Sequence, residues 1–228
     1  MKKGGKCYGL ERMMPLNDAP QTMPERTVGV LLFPTVEELD FAGPWELFGL
    51  WREHGDGPRC LTIGAGAESV QARHGLQVVP DVEMDEAPSL TYLLVPGGPG
   101  AGSAARDPAV VEYVAAQARS ARAVLSVCTG VRVLHAAGLL DGRRVTTHHT
   151  AISDVQAWDG VTAVEGERYV RDGALWTAAG ISAGLDMALA FIAAKAGETV
   201  AARIQREAEY VPDARRHGRG TDASASGA

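Results

Sequence analysis

Short apolar runs of strand length alternate with segments of helical character along most of this sequence. Apolar runs with hardly a polar residue are typical of central strands in a parallel sheet, because both faces of such a strand are covered. They are 27–33, 59–63, 91–95 and 123–127. The helical segments are 45–52, 108–121, 131–137, 152–158, 185–195 and 199–209. This alternation predicts an α/β fold: a doubly wound, mainly parallel, flavodoxin-like sheet with helices on both faces.

Local signals predict where some elements begin and end. Asp107 followed by proline is a helix N-cap with proline at the first helical position. Gly138 is expected to end the helix that follows the strand 123–127. Asp172 and Gly173 predict the turn of a hairpin between two short strands.

Length and composition predict one domain with disordered ends. The 228 residues are enough for one well-buried α/β domain and few for two. Residues 1–26 contain glycines and prolines with little periodicity, so we expect a disordered leader there. The polar residues 213–228 predict a disordered tail. The domain itself is then expected at 27–212.

Charge and cysteine content exclude several classes of protein. Lys and Arg number 22 against 28 Asp and Glu, for a formal net charge of −6, so nothing attracts the chain to nucleic acid or an anionic membrane. No apolar segment has the length of a signal-peptide core or a membrane span. Cys7, Cys60 and Cys128 are odd in number and form no CxxC pair, which argues against a disulfide framework or a zinc site. We therefore expect a soluble, cytoplasmic protein.

Cys128 stands where a strand changes into a helix. The strand 123–127 ends at this cysteine and a helix follows, so a sharp turn is expected. Ser126 and Gly130, two residues before and two after it, are small, as the geometry of a nucleophile elbow requires. A helix terminus beneath a thiol favours the thiolate. We interpret Cys128 as a reactive nucleophile rather than a buried structural cysteine.

Asp40 is expected near this cysteine. Ligands of open α/β sheets bind outside the carboxyl ends of the strands, and a loop with three carboxylates follows the strand 27–33. We expect Glu37 and Glu38 to be solvated charges. Asp40 stands between two apolar residues and is expected to point inward.

The loop 96–102 is rich in glycine and follows the strand 91–95. Its spacing matches neither common nucleotide-binding pattern, so phosphate binding is not expected. Two interpretations remain for Gly97 and Gly98. They form a plain tight turn, or they bring backbone N–H groups to a substrate as an oxyanion-type hole.

Two adjacent histidines follow a short strand predicted at 143–146. Adjacent side chains point in different directions, so we do not expect His148 and His149 to form a metal pair. That one of them lines a pocket is the better interpretation. No metal site is predicted.

From about 27 to 212, the chain resembles the DJ-1/PfpI superfamily, which has the class I glutamine-amidotransferase-like fold. Within this superfamily it is most similar to the isonitrile hydratase branch. The motifs are Phe33-Pro34, Leu39-Asp40, Gly43-Pro44, Pro96-Gly97-Gly98, Ser126-Val127-Cys128-Thr129-Gly130, Ala136-Ala137-Gly138-Leu139-Leu140, Thr146-Thr147-His148 and Gly180-Ile181-Ser182-Ala183-Gly184.

Single positions separate the branches in this resemblance. Protease-like relatives carry histidine directly after the cysteine, where this chain has Thr129. DJ-1-like relatives place a glutamate near the cysteine, and Asp40 here matches the hydratase pattern instead. The residues after Pro212 number 16, too few for the helix-turn-helix region of related regulators. His149 departs from the pattern, which has an aromatic residue such as tryptophan at this position.

The resemblance implies a mechanism without metal or organic cofactor. Cys128 attacks the terminal carbon of an isonitrile, and Asp40 donates a proton to form a thioimidate. Water activated by the same carboxyl group then releases an N-substituted formamide. Thr129 is implied as a further catalytic residue. The implied substrate-binding residues are Gly97, Gly98, Gly130 and His148. The partners implied are a small-molecule substrate and a second copy of the chain in a homodimer.

Two alternatives stay open at this point. The domain binds a small ligand or senses oxidation through Cys128 and catalyses nothing. Otherwise it is a thiol hydrolase of the protease or deglycase kind, which requires a histidine near Cys128. His148 and His149 are the candidates for that histidine.

Overall fold

The computed structural model describes residues 25–66 and 69–211. The strands in these ranges are β1 Thr27–Leu32, β2 Arg59–Gly64, β3 Val70–Gln71, β4 Gln77–Val78, β5 Val82–Glu83, β6 Tyr92–Val95, β7 Ala123–Val127, β8 Arg144–Val145, β9 Thr162–Ala163, β10 Tyr169–Asp172 and β11 Leu175–Ala178. The α-helices are α1 Glu38–His54, α2 Ala101–Ala104, α3 Pro108–Ser120, α4 Val131–Ala136, α5 Ile152–Gln156, α6 Ala183–Ala196 and α7 Glu198–Glu207.

A seven-stranded sheet in the order β10-β11-β7-β6-β1-β2-β5 forms the centre of the molecule. Its strands pair in parallel, except for the antiparallel hairpin β10-β11 at one edge. The short pairs β3-β4 and β8-β9 form separate two-stranded sheets. The predicted α/β fold with a mainly parallel sheet is confirmed.

Helices cover both faces of this sheet. Every residue of β6 and β7 is buried, which requires cover on each face because successive side chains point to opposite sides. The helices α1, α6 and α7 contact one another, and α4 contacts both α2 and α3. Because β1, β6, β7 and β11 are parallel, the loops that follow them meet at one edge of the sheet.

The predicted local signals correspond to real element ends. The Asp107 side chain accepts a hydrogen bond from the Ala109 N–H at 2.9 Å and caps α3. Gly138 has a φ of +72°, the left-handed conformation that commonly ends a helix. The hairpin β10-β11 turns at Gly173, where φ is +63°. The short strand β4 pairs with β3 in an antiparallel hairpin.

The first helix begins earlier than its sequence suggests. We predict a loop up to Trp45 because Gly43 and Pro44 are helix-breaking residues, but α1 begins at Glu38 and contains Pro44. Proline inside a helix removes one hydrogen bond and costs roughly 3 kcal/mol. Burial compensates for this cost, because Pro44 is buried and α6 packs so closely that a Cβ at Gly184 would lie 3.3 Å from Pro44 Cγ. Asp40 therefore lies in a helical turn and not in a loop.

The predicted leader 1–26 lies outside the described residues except for Glu25 and Arg26. The predicted tail 213–228 lies outside them entirely. Among the helices of the described ranges, none is both long and apolar enough to cross a membrane.

Candidate active site

Cys128 occupies a sharp turn at the carboxyl end of β7. It is the first residue of the 3-10 turn Cys128–Gly130, and α4 begins directly afterwards. Its φ of +57° lies in the left-handed region, which residues other than glycine adopt only when their surroundings impose it. The Cys128 N–H donates to the Ala179 carbonyl at 2.9 Å, and the Thr147 hydroxyl donates to the Cys128 carbonyl at 2.7 Å. These contacts hold the elbow that the sequence predicts.

Gly130 lets this turn lie against the end of β6. A Cβ built at Gly130 would come within 2.2 Å of the Val95 carbonyl oxygen and 2.7 Å of the Pro96 carbonyl oxygen. Both are backbone atoms, so a larger residue would displace the chain on one side or the other. The small residue that the elbow pattern requires is therefore a steric necessity.

Asp40 lies in the first turn of α1 and is completely buried. Its Oδ2 accepts a hydrogen bond from the Gly97 N–H at 2.9 Å. Its Oδ1 has no hydrogen-bond partner among the described residues. The Cys128 thiol and the Ile181 N–H face the same carboxyl group. Asp40 thus points inward as predicted, toward the sulfur of the elbow.

Burial controls the protonation of this pair. It raises the pKa of Asp40 from 3.8 to about 7, with the Gly97 N–H acting against the rise and the charge of Glu37 adding to it. Burial and the neighbouring Asp40 raise the pKa of the Cys128 thiol from 9.0 to about 12. The raised pKa of the Cys128 thiol disfavours the thiolate that a helix terminus alone would favour. The six-residue helix α4 does not compensate for burial beside a carboxyl group.

The glycine-rich loop contacts both Asp40 and the elbow. The Gly98 N–H donates to Thr129 Oγ1 at 3.0 Å, and the Thr129 hydroxyl donates to the Gly98 carbonyl at 3.1 Å. The Gly97 N–H is engaged by Asp40. Both N–H groups are therefore occupied, so they are not free oxyanion-type donors in this structure. Instead they orient the side chains of Asp40 and Thr129.

His148 lies against the loop that follows β11. A Cβ at Gly180 would come within 2.1 Å of His148 Cδ2. Burial lowers the pKa of His148, and His149 lowers it further, so the ring is neutral at pH 7. Its Nδ1 lies 2.8 Å from Thr150 Oγ1 and 3.3 Å from the Thr150 nitrogen. The centroids of the His148 and His149 rings are 4.3 Å apart, so the two rings do not diverge as expected.

Three side-chain contacts join the hairpin β3-β4 to the start of α1. Arg73 Nη1 lies 2.6 Å from Glu37 Oε2, and His74 Nδ1 lies 2.8 Å from Glu38 Oε2 and 3.9 Å from Glu37 Oε1. Only 7% of the Glu37 side chain is exposed, against 47% of Arg73. The expectation that Glu37 is a solvated charge is therefore wrong. No local signal identifies Arg73 as its partner, because the two residues are brought together only by the fold.

Ile181 is a further residue of the site that carries no chemical signal in the sequence. Its φ of +52° is unusual for a β-branched side chain, and its N–H faces the Asp40 carboxyl group. Gly180 and Ile181 thus form the wall between His148 and Asp40. The motif that contains them contributes to the resemblance stated above, and its part in the site comes from backbone geometry.

Comparison with known proteins agrees with this geometry. The family model described as DJ-1/PfpI family matches residues 26–194. An isonitrile hydratase of Pseudomonas putida is 38% identical over 185 residues, which cover 81% of this chain and 78% of that protein.

Relatives with other names share the same region. The HTH-type transcriptional regulator GbdR of Pseudomonas aeruginosa is 31% identical over 81% of this chain, and the chain spans about half of that regulator, 51%. The crystal structure of a THiJ/PfpI family protein from Pseudomonas syringae has a TM-score of 0.78 and 31% identity, covering 93% of this chain and 86% of that one.

Proposed function

This chain belongs to the DJ-1/PfpI family, and on that premise we propose that it is an isonitrile hydratase-like enzyme. It adds water to an isonitrile and yields an N-substituted formamide. The observation that carries the proposal is the buried Asp40 carboxyl group, which faces the Cys128 thiol and has one oxygen without a hydrogen-bond partner among the described residues. The similarity to an isonitrile hydratase over most of both chains supports the choice of substrate.

The first step joins the thiol to the terminal carbon of the isonitrile. As the sulfur of Cys128 forms its bond to that carbon, Asp40 accepts the thiol proton at Oδ1. Asp40 then donates this proton to the same carbon, and the product is a thioimidate, R–N=CH–S–Cys. A carboxyl group with a pKa of about 7 suits both transfers at neutral pH. A thiol with a pKa of about 12 needs this base, because little thiolate is present beforehand.

The second step hydrolyses the thioimidate. The Asp40 carboxylate removes a proton from water as its oxygen bonds to the imidate carbon, and that proton passes to the nitrogen. The tetrahedral intermediate then breaks its C–S bond, and the hydroxyl proton returns through Asp40 to the sulfur. The products are R–NH–CHO and the original thiol, so the atoms of one isonitrile and one water are accounted for.

The remaining residues position these groups in our proposal. Thr129 is held by Gly98 on both its donor and acceptor sides, so its own N–H and the elbow stay fixed beside the sulfur. Gly97 orients Asp40 through its N–H. Gly130 keeps the elbow close to β6. His148 lines the site as a neutral ring that forms a hydrogen bond with substrate or water.

The test follows formamide formation from cyclohexyl isonitrile with purified protein. We expect turnover to disappear in Cys128→Ala and to fall by roughly 10²–10⁴-fold in Asp40→Asn, the usual contribution of a general acid and base. Cys60→Ser is the matched control and should keep full activity. Cys60 lies near the amino end of β2, away from the carboxyl edge that carries the site. Retained turnover in Cys128→Ala excludes the mechanism.

A second candidate is a ligand-binding or redox-sensing domain without catalysis. The similarity to the regulator GbdR over most of this chain favours it. Binding of an isonitrile without product, in a wild-type protein shown to be folded, would support this candidate. The thiol hydrolase alternative has less support, because no histidine hydrogen-bonds to the Cys128 sulfur in the part of the chain that the structure describes.

We propose that the protein is a homodimer. A groove of about 580 Å³ between β10, α6 and α7 has small and apolar residues on its walls, among them Trp176, Leu189, Ala193 and Ala201. Small residues allow close approach of a second helix, which supports a subunit contact here. Light scattering coupled to gel filtration measures the mass, and a mass near 24.0 kDa would contradict the dimer.

A further inference from the structure

We propose that Glu37 and Arg73 are positioning residues that set the fraction of Asp40 holding a proton at neutral pH. The inference deepens the proposed hydratase function, since it concerns the proton that Asp40 moves. Neither residue needs to touch the substrate for this role. They act through their charges and not through contact with the reacting atoms.

Three hydrogen bonds link Glu37, Gly97 and Asp40. The Glu37 N–H donates to the Gly97 carbonyl at 2.9 Å, and the Gly97 N–H donates to Asp40 Oδ2 at 2.9 Å. The Asp40 N–H donates to the Glu37 carbonyl at 3.2 Å. The buried Glu37 side chain therefore precedes Asp40 by three residues at the start of α1, a spacing that places two side chains on the same side of a helix.

Arg73 is brought to Glu37 by the docking of the hairpin β3-β4. The Thr35 N–H donates to the Gln71 carbonyl at 2.8 Å, and the Arg73 N–H donates to the Val36 carbonyl at 2.9 Å. These backbone bonds anchor the turn end of the hairpin on the loop after β1. The guanidinium then reaches Glu37 at 2.6 Å and balances its buried charge.

The other groups that face Asp40 carry no charge at neutral pH, and the titratable ring of His74 contacts the pair, with its Nδ1 3.9 Å from Glu37 Oε1. The elbow contributes Cys128, a neutral thiol at pH 7, and the β11-α6 loop contributes the Ile181 N–H, which does not titrate. His148 is neutral at this pH and feels the charges of both Glu37 and Arg73. A negative charge near a carboxyl group favours its protonated form, and a positive charge favours its ionised form.

Substitutions of the two partners should therefore act in opposite directions. Glu37→Gln keeps the shape and an acceptor for Arg73 but removes the negative charge, so Asp40 should ionise at a pH lower by about half to one unit. Arg73→Gln leaves Glu37 without its counter-charge, so Asp40 should ionise at a higher pH. Arg73→Lys restores a positive charge and should return the titration toward that of wild type.

The direct measurement is a carbon-13 NMR titration of the Asp40 carboxyl carbon in full-length protein, assigned by its loss in Asp40→Asn. This readout needs no substrate, so it tests the inference even if the wild type does not hydrate isonitriles. Opposite displacements in Glu37→Gln and Arg73→Gln support the proposal. Displacements in the same direction, or none in either variant while both remain folded, overturn it.

The pH dependence of kcat/KM supplies the second readout. The acid limb of the profile should move with the NMR midpoint in each variant. Glu38→Gln is the matched control, because Glu38 is on the same turn and its side chain is 20% exposed, against 7% for Glu37. Its contact is with His74, whose Nδ1 lies 2.8 Å from Glu38 Oε2 and 3.9 Å from Glu37 Oε1. It should leave the limb within about 0.2 pH units of wild type. A displacement in Glu38→Gln as large as in Glu37→Gln contradicts a specific role for Glu37.

Discussion

The aromatic core and the carboxyl edge of the sheet follow different rules in this protein. In the core, the ring of Phe191 is fully buried and packs edge to face against four other rings, namely Phe48, Trp51, Tyr92 and Trp176. At the edge, the chain buries a carboxyl group and bends through strained turns. The core is stabilised by burial of apolar surface, and the edge keeps reactive groups out of water at a cost to stability.

The aromatic core and the carboxyl edge also differ in backbone conformation. In the described ranges, four residues other than glycine have positive φ. Three of them, Thr35, Cys128 and Ile181, lie within three residues of a strand end at the carboxyl edge. Such conformations cost of order 1–3 kcal/mol each and persist only where the surroundings impose them. The apolar core therefore provides the stability that allows the carboxyl edge to be strained.

Phe191→Ala is expected to have the largest effect on stability. Removing a buried phenylalanine leaves a cavity and costs about 3–5 kcal/mol. Urea unfolding measures this loss. Because Phe191 lies away from the elbow, kcat/KM per folded molecule should stay within about threefold of wild type when measured in the cold. A large fall in kcat/KM in a fully folded variant would show that packing in the core also affects the carboxyl edge.

Asp40→Asn should stabilise the protein while it removes activity. The pKa of Asp40 is raised from 3.8 to about 7 in the folded state. A raised pKa means that its contribution is fully present below the unfolded value and is lost as the pH rises through the folded value. The free energy of unfolding of the variant, relative to that of wild type, should therefore increase by about 2–3 kcal/mol as the pH rises from about 5 to about 8. Unfolding curves at both pH values measure the gain, and equal differences at the two values would contradict it.

Gly97→Ala should damage the edge and spare the core. A Cβ at Gly97 would lie 2.5 Å from the Thr129 nitrogen and 2.9 Å from Cys128 Cβ, so the elbow must move. A misplacement of about 1 Å is expected to lower kcat/KM by roughly 10²-fold. Gly102→Ala is the control, since the nearest atoms to its Cβ are arginine side-chain ends at 3.6 and 3.8 Å. Comparable activity in the two variants would count against a tightly packed edge.

Asp107→Ala should have the smallest effect and concern stability alone. It removes the side chain that caps α3, a loss of about 1 kcal/mol. Denaturant unfolding measures this loss, and formamide production measures activity, which should not change. A change in kcat/KM would mean that α3 is coupled to the edge more strongly than its contacts suggest.

Much of the fold and the centre of the site follow from local pattern. Continuous apolar runs identify buried parallel strands because burial on both faces leaves no polar alternation. Small residues around Cys128 identify the elbow because a larger residue at Gly130 would overlap the backbone of β6. Asp40 is identified by its apolar neighbours and by the resemblance to isonitrile hydratases.

The ionisation of the site and its surrounding charges could not be predicted in this way. The protons on Cys128 and Asp40 depend on how deeply each group is buried and on which charge lies nearby. The pair of Glu37 and Arg73 joins segments that are far apart in the chain. Long-range packing also overrides the helix-breaking character of Pro44.

By itself, then, the sequence determined the α/β class, the elbow at Cys128 and the acidic residue that faces it, because periodicity and steric size act over a few neighbouring residues. Where α1 begins, which residue pairs with Glu37 and how far the pKa of Cys128 is raised depend on long-range packing. Solvation and electrostatic interactions depend on everything that surrounds a group, and those surroundings are assembled from distant parts of the chain.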